Sequence, residues 1–70
     1  MIDESDLKNW FSYHAPNESQ QTRYVEIRAA ALSLAQCILA NTPQNADQSA
    51  AIRKVREAVM TANAAIACGE

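Results

Sequence analysis

The chain has 70 residues, 49% of them hydrophobic, with six Lys or Arg against eight Asp or Glu and a net charge of −2. A core of that size rarely supplies more than about 3–5 kcal/mol, so a small single domain needs a disulfide, a metal or self-association. Two Cys and one His allow at most one bridge and make a poor metal set, which favours self-association, and the acidic balance excludes general binding to DNA or RNA polymers. No run approaches the ~20 apolar residues of a membrane span. The opening MIDESDLKNWF is acidic and lacks the apolar stretch of a secretion signal. The expectation is a cytosolic protein with no membrane partner, no cofactor and reduced thiols at Cys37 and Cys68.

Pro16 and Pro43 cut the chain into three pieces. Residues 1–15 carry Leu7, Trp10, Phe11 and His14, which fits a short amphipathic helix capped by Asp3 or Ser5. Trp10 and Phe11 lie next to Leu7 by helical spacing and are expected to pack as core. HAPNES reads as a turn. Asn17 followed by Gln20 resembles a capping box that opens a helix near residue 18.

The second piece, 18–41, repeats Tyr24, Ile27, Ala31, Leu34 and Ile38 at 3-4-3-4 spacing. The break NTPQNAD ends it. Asn45 or Asp47 starts a third piece, 46–67, with Ile52, Val55, Val59, Ala62 and Ile66 at the same spacing. Two helices of about 33 Å joined by a short loop make an antiparallel helical hairpin. The expected fold is all-α: a short N-terminal helix, then the hairpin, in one domain assembled into a compact homo-oligomer.

With Tyr24 and Ile52 at heptad position a, Val25, Leu32 and Leu39 fall at b, beside the a/d seam. The apolar arc of the first long helix is then too wide for one partner helix. Ala51, Ala58 and Ala65 hold every g position of the second. Such a stripe fits a close helix–helix contact between subunits; the plainer reading is that Ala is a good helix former on a solvated face.

Arg28 and Arg56 fall at e, inside or beside those arcs. A charge there needs a partner, and Glu26 and Glu57 are on the far side. Asp3, Glu4 and Asp6 are within reach from the N-terminal segment of the same or another chain, giving an inter-subunit ion pair, or the arginine snorkels to solvent. The functional reading is an anionic ligand in a cleft between subunits, since Arg offers planar, bidentate donors to phosphate. Arg53 and Lys54 make the start of the second long helix locally basic, which favours a small anion over a polymer. Tyr13, beside the turn, either packs with its hydroxyl wet or stacks on a nucleobase, worth about 1–3 kcal/mol per base. His14 is expected to cap or hydrogen-bond the turn. No Gly-rich phosphate loop and no readable nucleophile–base pair favour an enzyme, and both thiols lie in apolar helical settings where they are inert.

The stretches WFSYHAPNESQ (10–20), EIRAAALSLAQCI (26–38) and AVMTANAAIA (58–67), in that order and spacing, resemble the bacteriophage anti-CBASS cyclic-oligonucleotide sponges, the second anti-CBASS family. The resemblance spans nearly the whole chain. It implies a small helical protein assembled as a hexamer in the host bacterial cytoplasm, which sequesters cyclic di- and trinucleotide immune messengers, cyclic GMP–AMP among them, without catalysis. It further implies that Tyr13 stacks on the bases of a cyclic dinucleotide at a subunit interface and that Arg28 meets its phosphates. The family commonly has Lys at the second position, and the Thr that follows two positions later is Ala30 here. A separate trinucleotide pocket is assigned to Arg53 and Arg56 from charge alone. Two other readings compete: a helical oligomeric interaction module whose arginines are structural, and a small helix-turn-helix regulator, which the net acidity and long helices disfavour.

Overall fold

Each helix begins where a side chain takes over a backbone amide that has no partner inside the helix. In the computed structural model, which describes residues 1–70, Asp3 caps α1 (Glu4–Trp10), Asn17 caps α2 (Glu18–Asn41) and Asn45 caps α3 (Ala46–Gly69). Asp3 and Asp6 form a reciprocal capping box, as do Asn17 and Gln20. The fold is all-helical, a short helix followed by a hairpin of two long ones, in accord with the sequence. Helix α1 is shorter than the 1–15 segment that carries its pattern. The residue before a proline is driven out of the helical region, and residues 12–17, which include Pro16, form a loop.

The hairpin closes without a glycine. Pro43 forces Thr42 into extended backbone (φ −128°, ψ 150°), so the last carbonyls of α2 must find other donors. Asn41 Nδ2 donates to Cys37 O at 2.8 Å, and Thr42 Oγ1 to Ile38 O at 2.6 Å. Gln48 Nε2 donates to Thr42 O at 3.1 Å and Thr42 Oγ1 at 3.0 Å, with a longer contact to Leu39 O at 3.4 Å. Gln48 occupies the N3 position of α3, where Gln usually reaches back to its own cap. Here it crosses to α2 instead and is one of two buried residues in the chain. Gln48→Ala strips the donor from these acceptors at a buried spot. The expected cost is about 1–3 kcal/mol, read as a fall in Tm at fixed protein concentration; an unchanged Tm would show that the clamp carries no stability.

The a/d seam forms the hairpin interface. Ile27, Ala31 and Ile38 of α2 and Ile52, Val55, Val59 and Ala62 of α3 are half-buried, and Ile66 is the one buried hydrophobic residue. The rest of the apolar surface is open. Contrary to the sequence expectation, Trp10 and Phe11 are not core: they are 49% and 84% exposed. Helix α1 packs against α3 and makes no comparable contact with α2, so one face of α1 has nothing to bury against. Val25, Leu32 and Leu39, the b stripe, are 55–60% exposed. Ala58 and Ala65 are exposed and Ala51 half-buried.

The chain is one layer of helices, 44 × 30 × 15 Å, with a radius of gyration of 15.1 Å; a compact globule of this length has about 11 Å. Its accessible surface is 5620 Å², about 1,300 Å² above the roughly 4,300 Å² that a compact monomer of this mass exposes. No helix is long and apolar enough to cross a membrane.

Within one chain the acids near the N-terminus do not pair with Arg28 or Arg56. Asp3 and Asp6 serve the capping box, and Ser5 Oγ with the Asp6 amide holds the Asp3 carboxyl below its ordinary range. The one ion pair is Arg23–Glu70: Nη1 and Nη2 each lie 2.6 Å from a Glu70 oxygen, with Gln20 Nε2 at 3.3 Å. It ties the end of α3 to the start of α2. The Arg23 hydrogen bonds, and next the Gln20 amide, hold Glu70 down to about 2 from its ordinary 4.5. A carboxylate whose folded pKa is depressed stabilises the fold above its unfolded value and loses that contribution as pH falls through the folded one. Between pH 5 and about 2 the Tm of the unsubstituted protein should therefore fall more steeply than that of Glu70→Gln. Parallel curves would mean the pair contributes nothing, as exposed pairs often do.

Candidate functional site

Tyr24 and Arg28 are one helical turn apart, so they share a face of α2. The antiparallel hairpin sets Asn63, Ala67 and Cys68 of α3 beside that face, and the loop after α1 adds Ser12, Tyr13 and His14. Together with Trp10 and Ala64 these residues line one groove of about 440 Å³, within the roughly 300–1,000 Å³ usual for small-molecule sites. Tyr13 is 88% exposed. Arg28 is exposed and has no carboxylate within 4 Å. Neither side chain makes an intramolecular hydrogen bond, so both present free binding groups: an aromatic face, a phenolic hydroxyl and a guanidinium fork.

The loop that carries Tyr13 is anchored from both sides. His14 lies 2.6 Å from Asn9 O through Nε2; a carbonyl only accepts, so Nε2 carries the proton. Ser12 Oγ donates to Lys8 O. Asn9 Nδ2 in turn donates to Cys68 O at 2.9 Å, joining α1 to the end of α3. The reading of His14 as a turn hydrogen-bonder therefore agrees with its geometry.

Arg53 and Arg56 lie elsewhere. They line a smaller groove of about 290 Å³ with Glu57 and Met60 on α3, and both are exposed. The structure thus brings Tyr13 and Arg28 together and keeps Arg53 and Arg56 apart from them. Arg28 also borders a second surface, formed with Val25, Ala29 and Leu32. It stands where the groove meets the exposed apolar stripe. A third cavity, of about 460 Å³, runs between α2 and α3 and is lined by Ile27, Ala31, Leu34, Val55, Val59 and other small or apolar groups, with Lys54 at its edge.

Sequence reasoning gave no role to Asn63, yet it lines the Tyr13–Arg28 groove, and its Oδ1 is buried without a donor. Its signal was available: it repeats the e position of Arg56, a polar residue inside an apolar arc. Cys68 was read only as a thiol in a helix, but it lines the same groove and lends its carbonyl to Asn9. Both cysteines are free. No three His, Cys, Asp or Glu side chains gather as metal ligands, and the groove offers cationic, amide and aromatic groups, a donor set for an anion carrying flat rings.

Among known proteins, the model of the family described as "Acb2/Tad1, hairpin domain" matches residues 3–67. No curated protein matches the chain, and no solved structure does.

Proposed function

Because the chain belongs to the Acb2/Tad1 hairpin-domain family, that of the anti-CBASS and anti-Thoeris sponges for cyclic oligonucleotides, we propose that it binds and sequesters cyclic di- and trinucleotide immune messengers. By holding the messenger it keeps CBASS effectors from being activated, and it needs no catalysis to do so. The observation that carries this reading is the meeting of Tyr13 and Arg28, from separate segments, in one groove with both side chains unpaired. A cyclic dinucleotide supplies what each lacks: purine faces for the phenol ring and phosphates for the guanidinium. Arg53 and Arg56, apart from that groove, are the proposed contacts of a second phosphate site for cyclic trinucleotides.

The working form is a homo-oligomer, a hexamer, in the host bacterial cytoplasm. Three features support assembly: the excess accessible surface, the uncovered stripe of Val25, Leu32 and Leu39, and the exposed Ala58 and Ala65 at a fixed helical phase. The excess of about 1,300 Å² exceeds the roughly 800 Å² per partner of a standard interface. Because Arg28 borders the stripe, covering the stripe with a second copy sets the groove at a subunit boundary. In the competing interaction-module reading the arginines pair with carboxylates of another copy, since none lies within 4 Å of Arg28, Arg53 or Arg56 in the chain.

The test is calorimetric titration of the assembled protein with cyclic GMP–AMP and with cyclic tri-AMP. Saturable binding of either supports the proposal. Absence of binding across a broad panel of cyclic di- and trinucleotides at micromolar concentrations rejects it and leaves the interaction module.

A further inference from the structure

Tyr13 sits in a loop, is almost wholly exposed and makes no hydrogen bond of its own. Nothing that its side chain touches in this way holds it over the groove. Its two neighbours are held instead. The closing carbonyls of α1 lack helical donors, and three are taken in succession: Leu7 O by the Phe11 amide at 3.0 Å, Lys8 O by the Ser12 hydroxyl, and Asn9 O by His14 Nε2–H at 2.6 Å. Ser12 and His14, on either side of Tyr13, are thereby fastened to the end of α1. Helix α1 in turn packs on α3 alone, and Asn9 Nδ2 joins it there to Cys68 O at 2.9 Å. Asn9 is half-buried and does not line the groove.

We propose that Asn9 and His14 are positioning residues for Tyr13: the chain of bonds from His14 through Asn9 to the Cys68 carbonyl sets the phenol ring at a fixed place relative to Arg28. This rests on the reading of the groove as a cyclic-dinucleotide site. Asn9 works in two directions, its backbone carbonyl holding the loop and its side-chain amide holding α3, so substituting the side chain uncouples α1 and the loop fastened to it from the hairpin. A ring held in place before the ligand arrives spares the ligand the ordering of the loop. A loop set free spends only part of its time in the competent arrangement, and apparent affinity falls by that fraction.

The experiment is a double-mutant cycle on the assembled protein, titrated with cyclic GMP–AMP. Asn9→Asp keeps the size of the side chain and removes the Nδ2 donor. It should weaken binding roughly three- to tenfold, the worth of one such bond, and do so through a slower association rate with helicity unchanged. In the Tyr13→Ala background, titrated at higher concentration, Asn9→Asp should change affinity less than twofold, because the group it positions is gone. His14→Ala supplies a second route should Asn9→Asp lose its fold. It should weaken binding as Asn9→Asp does, and His14→Gln, whose Nε2 amide can donate to the same carbonyl, should restore most of the loss. Equal losses with and without the Tyr13 ring would overturn the proposal, as would unchanged affinity of both Asn9→Asp and His14→Ala while the unsubstituted protein binds; in that case the function reading stands. No binding by the unsubstituted protein rejects the function reading, and the positioning role with it.

Discussion

Tyr13→Ala should weaken binding of cyclic GMP–AMP by between about fivefold and a hundredfold, and Arg28→Glu by about a hundredfold or more. The first figure follows from base–aromatic stacking at about 1–3 kcal/mol per base, at 1.4 kcal/mol per tenfold. The second combines the loss of charge-assisted hydrogen bonds, about 1.5–3 kcal/mol, with a carboxylate set against phosphate. Both side chains are exposed and unpaired in the chain, so neither substitution should disturb the hairpin, and far-ultraviolet circular dichroism checks that. Arg28→Lys keeps the charge but loses the planar fork, and its loss should be the smaller one. Cyclic tri-AMP provides the contrast. If Arg53 and Arg56 form the second phosphate site, Arg53→Ala with Arg56→Ala should weaken the trinucleotide and spare the dinucleotide. Dinucleotide binding that survives both Tyr13→Ala and Arg28→Glu would move the site away from this groove and make Arg53 and Arg56 the next residues to examine.

The second large effect is on assembly. If the chain assembles as proposed, Leu32→Glu together with Leu39→Glu should dissociate the oligomer and, with it, unfold most of the chain. One protomer buries two of its 70 residues, and most helical stability in proteins comes from packing of an apolar face. In the proposed assembly, further stability comes from surface covered by other copies, and it should rise with protein concentration. Each leucine contributes about 1.5–3 kcal/mol when fully covered, so the pair removes about 3–6 kcal/mol per chain before the cost of placing two carboxylates at the interface. Light scattering reads the mass and circular dichroism the helicity. A double variant that keeps the mass and Tm of the parent, or a parent that is monomeric and stable at micromolar concentration, would place the stabilising contacts elsewhere.

Local signals in the chain account well for the helices. The starts at Asn17 and Asn45, the end of α2 before Pro43 and the seam through Ile27, Ile38, Val55 and Ile66 all depend on residues within a turn or so of each other, whose chemistry is read without knowing the rest of the fold. The pairing of α2 with α3 follows, because the two seams match and a short loop leaves an antiparallel hairpin as the available arrangement. The width of the apolar arc, marked by Val25, Leu32 and Leu39, already shows that one partner helix is insufficient. Tyr13 and Arg28 were legible as unusual residues: one by its aromatic ring beside a turn and by the resemblance, the other as a charge in an apolar arc.

What only the tertiary structure decided is which side chains meet across the chain. Helix propensity and capping act over three or four residues, whereas Asn9 and Cys68 are 59 positions apart and Arg23 and Glu70 are 47 apart. Whether such pairs meet depends on the hairpin register and on where α1 lands, and neither leaves a mark in a local pattern. The same reason explains Gln48, which has the right residue type for its own capping box yet turns to the end of α2. It explains Trp10 and Phe11, apolar by type and expected in a core, but left uncovered because α1 rests on one helix only. By itself the sequence determined a helical hairpin with more apolar surface than one copy buries. The packing of α1 on α3 decided that the Tyr13 loop lines the same groove as Arg28, since side-chain meeting is a property of the assembled surfaces and not of any one segment.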